Sequence, residues 1–201
     1  MTAASAPARR WIVILKVLFA VAVWGGSFIA TKIALRDVAP VTIVWTRFGI
    51  GVLILGLAVG LRGGYRRPGL RDLAYFALLG GLGITFHQWL QSTGLITAQA
   101  TTTAWIVAST PVFMALLGWL FLHESLGLVK VGGILLAAAG VLLVISRGDW
   151  RALSLGQFGT PGDMLILISA PNWAVFSTLS RDGLRRYPAA LMRFFVQAPA
   201  A

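Results

Sequence analysis

The sequence contains no cysteine and few acidic residues. Without cysteine, a disulfide framework, thiolate metal sites and thiol redox chemistry are excluded. Only 6 of the 201 residues are aspartate or glutamate, and all charged residues together make up 11% of the chain. Because an ordinary globular domain carries about 25% charged residues, this composition excludes a water-soluble fold.

The chain is nevertheless strongly basic, with 17 lysines and arginines and a formal net charge of +11. In a soluble protein this charge would indicate nucleic-acid binding. Here the basic residues lie between apolar segments, so membrane topology and anionic lipid headgroups explain them better. The predicted partners are therefore the lipid bilayer and a small solute, and not a nucleic acid.

Long apolar runs make up most of the chain, since 58% of the residues are hydrophobic. A helix needs about 20 apolar residues to cross the hydrocarbon core of a membrane. An isolated span must be helical, because only a helix pairs all its backbone N–H and C=O groups within one segment. The first run is too long for the apolar region of a signal peptide. The runs cover 11–30, 41–61, 73–95, 101–122, 128–146 and 164–180, and a seventh begins near Ala189. The predicted fold is an all-α polytopic membrane bundle of about six or seven helices.

The basic residues in the connections predict the orientation. With a cytoplasmic N-terminus, the inner segments hold Arg9, Arg10, Lys16, Arg62, Arg66, Arg67, Arg71, Lys130, Arg181, Arg185 and Arg186. The outer segments hold only Lys32, Arg36, Arg147 and Arg151. This bias predicts a multi-pass protein of the cell (inner) membrane with its N-terminus in the cytoplasm.

One connection, 147–162, is longer than the others and rich in glycine and proline. It divides the chain into a cytoplasmic tail (1–10), a first unit of five helices (11–146), a linker (147–162) and a second unit (163–201). Tryptophan at 24 and 173 and arginine at 47 and 193 indicate an internal repeat of about 147 residues. Five helices in one unit would invert the next one, as in many secondary transporters.

The third apolar run carries polar and small residues on one helical face, namely Gly80, Gly83, His87, Gln91 and Gly94, with Gln88 at its border. At membrane depth such a face either packs against another helix or lines a water-filled cavity, and both interpretations stay open. His87 could relay protons or be a hydrogen-bonded structural histidine. No paired acids, metal-spaced histidines or activated nucleophile occur in the bundle, so neither an enzyme nor a cofactor or metal site is predicted.

Pro111 lies in the middle of the fourth run, where it frees the carbonyl of Val107 and bends the helix. Such bends expose backbone dipoles to solutes in transporters, although Ser109 or Thr110 could also satisfy the carbonyl. Trp105 is either an aromatic wall or a lipid-facing side chain. Glu124, which ends this run, is expected to be solvated or paired with a base.

Small residues form stripes in two further runs: Gly49, Gly56 and Gly60 in the second, and Gly133, Ala137 and Gly140 in the fifth. Such stripes let neighbouring backbones approach closely. They indicate a tightly packed bundle.

The chain resembles the EamA domain of the drug/metabolite transporter superfamily. The opening Trp24, Gly25, Gly26, Ser27 and Phe28, with Lys32, Pro40, Arg47 and Phe48 downstream, is similar to the start of that domain. The stretch 98–111, with Glu124, Gly133 and Gly140, is similar to its most characteristic block. The resemblance implies ten helices in two inverted repeats, a central solute cavity, cytoplasmic termini and export of small metabolites or drugs.

Three departures limit what the resemblance implies. The chain stops within the expected seventh helix, Pro171 precedes the second tryptophan motif, and the first helix has no glutamate for carboxylate-based proton exchange. The prediction is therefore a transporter of the EamA type that exports a small metabolite or drug, present as a fragment whose activity alone is left open, with a homodimer or a complementing second half as its partner. The alternative is a non-transporting membrane fragment or a scaffold for assembly.

The predicted substrate pathway consists of Trp24, Lys32, Arg47, His87, Gln88, Gln91, Trp105, Ser109 and Pro111. Lys32 and Arg47 would contact anionic groups or fix helix ends. The residues assigned to structural motifs are Gly56, Gly60, Glu124, Gly133, Gly140 and Trp173.

Overall fold

A computed structural model describes residues 6–61, 68–149, 151 and 159–198. Its helices are α1 (Ala6–Ala34), α2 (Pro40–Leu61), α3 (Leu70–Gly80), a π-helical segment (Gly81–Phe86), α4 (His87–Thr97), α5 (Ala100–Ala108), α6 (Thr110–Leu122), α7 (Leu128–Ile145), α8 (Pro161–Arg186) and α9 (Ala189–Gln197). No strand occurs in these residues, which confirms the all-α prediction. Arg62, Arg66, Arg67, the first five residues of the tail and residues 152–158 of the linker lie outside the described ranges.

Five helical stretches are long and apolar enough to span a membrane: Arg10–Ala34, Pro40–Leu61, Leu70–Thr97, Ala100–Phe121 and Leu128–Ile145. They agree with the five predicted runs of the first unit to within a few residues. The predicted sixth span, α8, is not among them. Its Asp163 and Ser169 are buried and its Asn172 is half-buried, so this helix places polar groups inside the bundle.

One end of the bundle, here called the Lys32 end, joins the last turn of α1 to the ends of α4 and α8. The Lys32 ammonium donates hydrogen bonds to the carbonyls of Leu95 (2.5 Å), Ile96 (3.0 Å) and Ala98 (2.8 Å). At the start of α8, the Gly162 amide donates to Thr97 Oγ1 at 2.9 Å. Because α1 ends where α8 begins, the two helices run in opposite directions.

The opposite end, here called the Asp72 end, joins α3 to the junction between α8 and α9. The Asp72 carboxylate accepts hydrogen bonds from Arg186 Nη1 and from the Tyr187 hydroxyl, each at 2.6 Å. The Tyr75 hydroxyl donates to the Leu179 carbonyl at 2.6 Å. These bonds tie the first two turns of α3 to the last turns of α8 and to Tyr187, just after it.

Glu124 lies at the same end, where its carboxylate is 3.7 Å from Arg181 Nη1. Both side chains are half exposed, so the pair contributes little to the free energy of unfolding. The sequence led us to expect a glutamate that is solvated or paired with a base, and this half-exposed pair agrees with that expectation.

Helix α8 begins with a capping box. Thr160 Oγ1 accepts from the Asp163 amide at 3.2 Å, and Asp163 Oδ2 accepts from the Thr160 amide at 2.8 Å. Pro161 in the first turn suits this start, because it has no amide to satisfy. Despite Pro171 in its interior, α8 continues to Arg186 without interruption.

The face of polar and small residues predicted on the third span packs against α8. A Cβ atom on Gly83 would overlap the Phe176 ring, and one on Gly94 would lie 2.8 Å from Ile166. Only glycine therefore allows α8 to approach this closely. Of the two interpretations left open, helix packing applies to these glycines.

Fewer glycines of the two stripes contact a neighbouring helix than the sequence led us to expect. A Cβ atom on Gly56 would lie 3.1 Å from the Phe194 ring of α9, whereas Gly49, Gly60, Gly133 and Gly140 have no described atom within 4 Å of such a position. The prediction of close backbone approach along both stripes is wrong for the described part of the chain. These faces lie on the surface of the bundle, where sequence periodicity cannot tell whether a neighbour is present.

Candidate functional site

A cavity of about 370 Å³ lies between α1, α4, α8 and the junction of α5 with α6. Its lining consists of Trp24, His87, Gln88, Gln91, Val107, Ala108, Thr110, Pro111, Met114 and Trp173. The structure thus brings together five of the nine predicted pathway residues, from three separate helices. Trp173, which we had assigned only to a structural motif, forms part of the same wall.

Two glutamine amides supply the polar groups of this cavity. Gln91 is 7% exposed and Gln88 is half-buried. Within the described residues neither amide makes a hydrogen bond to another protein group. Because buried polar groups are normally hydrogen-bonded, a polar solute or water in the cavity is the natural partner of both side chains.

His87 is held by α8. Its Nδ1 lies 3.1 Å from the Ser169 carbonyl, and its ring centroid lies 4.7 Å from that of Trp173. A carbonyl can only accept, so the proton on the imidazole occupies Nδ1 in this hydrogen bond. The geometry agrees with the structural interpretation of His87, whose ring also forms part of the cavity wall.

The fourth span is interrupted next to Pro111, at Ser109 between α5 and α6, and residues on both sides of this interruption line the cavity. The Ser109 hydroxyl donates to the Ile106 carbonyl and the Thr110 hydroxyl to the Val107 carbonyl, each at 2.6 Å. The carbonyl freed by the proline is therefore satisfied within the helix, and the interruption exposes little unpaired backbone to a solute.

A second irregularity, the π-helical segment Gly81–Phe86, precedes the polar residues of α4. The Asn172 side-chain amide donates to the Leu82 carbonyl in this segment at 2.8 Å. Single π turns inside α-helices occur frequently at functional sites. Neither the π turn nor the role of Asn172 was predicted, because hydrophobic periodicity does not distinguish a π turn from an α turn.

A narrow polar recess of about 30 Å³ adjoins the cavity on the side of α2. It shares Trp24, Gln88 and Gln91 with the cavity, and its other lining residues are Ser27, Phe28, Thr31, Arg47, Ser92 and Leu95. The recess has room for about one water molecule or one small functional group. Arg47 therefore belongs to the same site through the recess.

Three predicted pathway residues lie elsewhere. Lys32 binds the carbonyls at the end of α4, which matches the helix-fixing alternative. Trp105 is 63% exposed and, with Ser109, lines a separate apolar groove of about 380 Å³ against α7. Of the motif residues, Gly140 borders this groove, whereas Gly56, Gly60, Gly133 and Glu124 do not line the cavity.

The chain is similar to several curated transporters. It is 28% identical over 165 residues to an uncharacterized transporter of Archaeoglobus fulgidus, covering 82% of this chain and 56% of that protein. It is 29% identical over 177 residues to a probable terminal-alkyne amino-acid exporter of Streptantibioticus cattleyicolor, covering 88% and 56%. It is 32% identical over 158 residues to the uncharacterized transporter YvbV of Bacillus subtilis, covering 78% and 50%.

The chain spans between 50% and 60% of the length of these and the other leading relatives. No solved structure matches it significantly. The model of the EamA-like transporter family matches residues 11–146, which is more than half of the chain. Together with the apolar helices and the central cavity, this match shows that the chain belongs to the EamA-like transporter family.

Proposed function

We propose that this protein carries a small organic solute across the membrane and that the cavity beside α4 and α8 is its binding site. The observation that carries the proposal is the pair of unpartnered amides, Gln88 and Gln91, facing a cavity with tryptophan walls inside apolar helices. Solute sites of secondary carriers lie within the membrane, near irregular helices. The break at Ser109 and the π turn before α4 provide such irregularities on two sides.

The depth of the site supports this function. His87 lies ten residues before the end of α4 at Thr97, which corresponds to about 15 Å at 1.5 Å per residue. The cavity thus lies about half of a hydrocarbon core away from the Lys32 end. A solute bound there would lie near the bilayer midplane, where secondary carriers place their binding sites.

We further propose export from a cytoplasm that contains the N-terminus, across the inner membrane. The distribution of basic residues supports this orientation. The direction is supported by the relative in Streptantibioticus cattleyicolor, which is described as a probable amino-acid exporter. The Asp72 end would then face the cytoplasm and the Lys32 end the outside.

The test is an export measurement in cells that express the chain. Metabolites that accumulate in the medium are compared by mass spectrometry with those of cells carrying an empty vector. We expect at least one small metabolite to be released faster, and the substitution Gln91→Leu to lower that release by about tenfold, because one hydrogen bond inside the cavity is lost.

The matched control is Gln99→Leu. Gln99 is exposed just before α5 and makes no side-chain hydrogen bond to that helix, so the same chemical change there should leave export unaltered. If release depends on neither glutamine, the cavity is not the transport route. If the membrane-inserted chain releases nothing above the vector, the alternative of a non-transporting scaffold is favoured.

A further inference from the structure

Arg47 is a charged side chain inside an apolar helix. It lies seven residues after the start of α2 at Pro40, within a stretch that is otherwise free of charge. An ionisable residue in a membrane span indicates a functional site by default, because burying its charge without a partner is costly. The question is therefore which group neutralises this guanidinium.

No carboxylate of the described chain does so. The guanidinium makes no ion pair or hydrogen bond there, and its contact is with the Phe48 ring, whose centroid lies 6.0 Å away. None of the acidic residues lines the recess or the cavity. The positive charge of Arg47 therefore has no carboxylate partner among the described residues. Its guanidinium N–H groups line a recess that adjoins the solute cavity.

A second groove repeats this arrangement at the opposite end of the bundle. It has a volume of about 320 Å³ between α8 and α9, and its lining includes Trp173, Phe176, Ser177, Ser180 and Arg193. The α8 residues that line the groove include positions 173, 176, 177 and 180. The α1 residues that line the recess are at positions 24, 27, 28 and 31, with the same intervals between them. Each α8 position is therefore the α1 position plus 149 residues.

An arginine accompanies each set, with an offset of 146 rather than 149 residues. Arg47 lies seven residues after the start of α2, and Arg193 lies four residues after the start of α9. Arg193 also makes no ion pair or hydrogen bond within the described residues. Because α2 begins at the Lys32 end and α9 at the Asp72 end, the two arginines lie toward opposite faces of the membrane. The repeat thus places one tryptophan, two hydroxyls and one arginine near each end of the bundle.

We infer that these two sites bind the carboxylate of an organic acid with an apolar body, one site near each end of the pathway. This inference rests on the proposed transport function and names the substrate class. A guanidinium matches a carboxylate through two parallel N–H donors. The tryptophans at 24 and 173 and the apolar cavity between the sites accommodate the body of the solute.

The hydroxyls add a second recognition element. The Ser27 hydroxyl donates to the Trp24 carbonyl at 2.6 Å, and the Ser180 hydroxyl donates to the Phe176 carbonyl at 2.7 Å. With their protons used, both oxygens are left to accept hydrogen bonds. An ammonium group next to the carboxylate would donate to them, so an α-amino acid with an apolar side chain should bind more tightly than the simple acid.

The test is equilibrium dialysis of the purified full chain in a neutral detergent with four probes of similar length: hexanoate, L-norleucine, hexanol and hexylamine. We expect two hexanoate molecules per chain, with hexanol and hexylamine bound at least about tenfold more weakly, the factor for one charge-assisted hydrogen bond. Norleucine should bind at least as tightly as hexanoate.

Arg47→Gln and Arg193→Gln should each remove one of the two hexanoate molecules, and the double variant should bind none. Arg47→Lys keeps the charge without the fork, so it should retain hexanoate with reduced affinity. The matched controls are Arg36→Gln and Arg185→Gln, which should bind two molecules. These two arginines are exposed, as Arg47 and Arg193 are, but they lie outside both sites. Circular dichroism establishes that every variant is folded.

Equal binding of hexanol and hexanoate, or unchanged stoichiometry in the folded double variant, would overturn the inference and leave Arg47 as a snorkelling residue. In that case, export that still depends on Gln91 would retain the proposed transport function with another substrate class. Absence of both binding and export would remove the two proposals together.

Discussion

At the scale of single residues, Gly162 is the described glycine where an added Cβ atom would meet its neighbours most closely. A Cβ atom there would overlap the Gly94 carbonyl oxygen and would lie 2.5 Å from Thr97 Oγ1. Backbone cannot move aside as a flexible side chain can. We therefore expect Gly162→Ala to separate α8 from α4 and to lower the free energy of unfolding by about 1–3 kcal/mol, measured by denaturant titration in detergent.

Gly132→Ala is the control for this prediction. Gly132 lies inside α7, and no described atom is within 4 Å of the place that a Cβ atom would occupy. Alanine is favoured over glycine in a helix by about 1 kcal/mol, so this variant should be as stable as the parent or slightly more stable. Equal destabilisation by both substitutions would contradict the contact at Gly162.

Individual side chains also explain the polar part of the cavity. Gln88 and Gln91 are three residues apart on α4, and their spacing alone indicates that they share a face. Sequence could not decide which of the polar groups on that face would be used by the fold. His87 is hydrogen-bonded to the Ser169 carbonyl, whereas the side-chain amides of both glutamines make no hydrogen bond within the described residues.

At the scale of helices, Lys32 satisfies the last turn of α4. The final carbonyls of a helix lack internal partners, and the Lys32 ammonium binds three carbonyls in that region. Lys32→Met should leave them unsatisfied and lower the free energy of unfolding by about 1–3 kcal/mol. A thermal melt followed by circular dichroism would show the loss as a lower midpoint.

The control is Lys130→Met, since Lys130 is exposed and makes one long hydrogen bond, of 3.3 Å, to the Ser125 carbonyl. Its midpoint should be close to that of the parent. Hexanoate affinity should also be unchanged in folded Lys32→Met. A selective loss of affinity without loss of stability would instead place Lys32 in the solute pathway.

Helix irregularities were only partly predictable. Pro111 predicts the interruption between α5 and α6, because proline has no backbone N–H to donate and its ring crowds the preceding turn of the helix. Which hydroxyl would satisfy the freed carbonyl depended on side-chain rotamers, and the structure assigns it to Thr110. Nothing in the sequence around Gly81–Phe86 indicated a π turn.

At the scale of the whole molecule, the absence of cysteine makes the orientation directly testable. Arg36 and Ser125 are exposed in connections at opposite ends of the bundle, so Arg36→Cys and Ser125→Cys each introduce a single thiol. In intact cells, a membrane-impermeant maleimide should label Arg36→Cys. Ser125→Cys should react only after permeabilisation, because we place it in the cytoplasm.

The parent chain, which has no thiol, supplies the background for this labelling. Both variants should be labelled fully in detergent. Labelling of Ser125→Cys but not Arg36→Cys in intact cells would reverse the orientation, and with it the assignment of the Asp72 end to the cytoplasm.

The central position of α8 is also a property of the whole molecule. Helix α8 is less apolar than its neighbours, yet it packs centrally against α4 and α6 and shares the cavity with α1. The tryptophan repeat indicated its relation to α1. Its central position explains why a span with Asp163, Ser169 and Asn172 is compatible with a membrane bundle.

Composition and the apolar runs were enough to predict a membrane environment, the fold class and the approximate limits of five spans, and the linked motif residues carried the family resemblance. These properties are readable from the sequence because they act locally along the chain. The sequence also indicated half of the residues that line the cavity, because polar residues and prolines in apolar helices are few and conspicuous.

Which of those residues meet was a matter of three-dimensional packing. Whether Lys32 contacts a solute or a helix end, whether Trp105 lines the cavity or another groove, and whether a glycine stripe has a neighbour depend on contacts between residues far apart in sequence. Periodicity defines a face of a helix but does not identify what lies opposite it. The recess at Arg47 and its counterpart at Arg193 became recognisable only when both were seen in three dimensions.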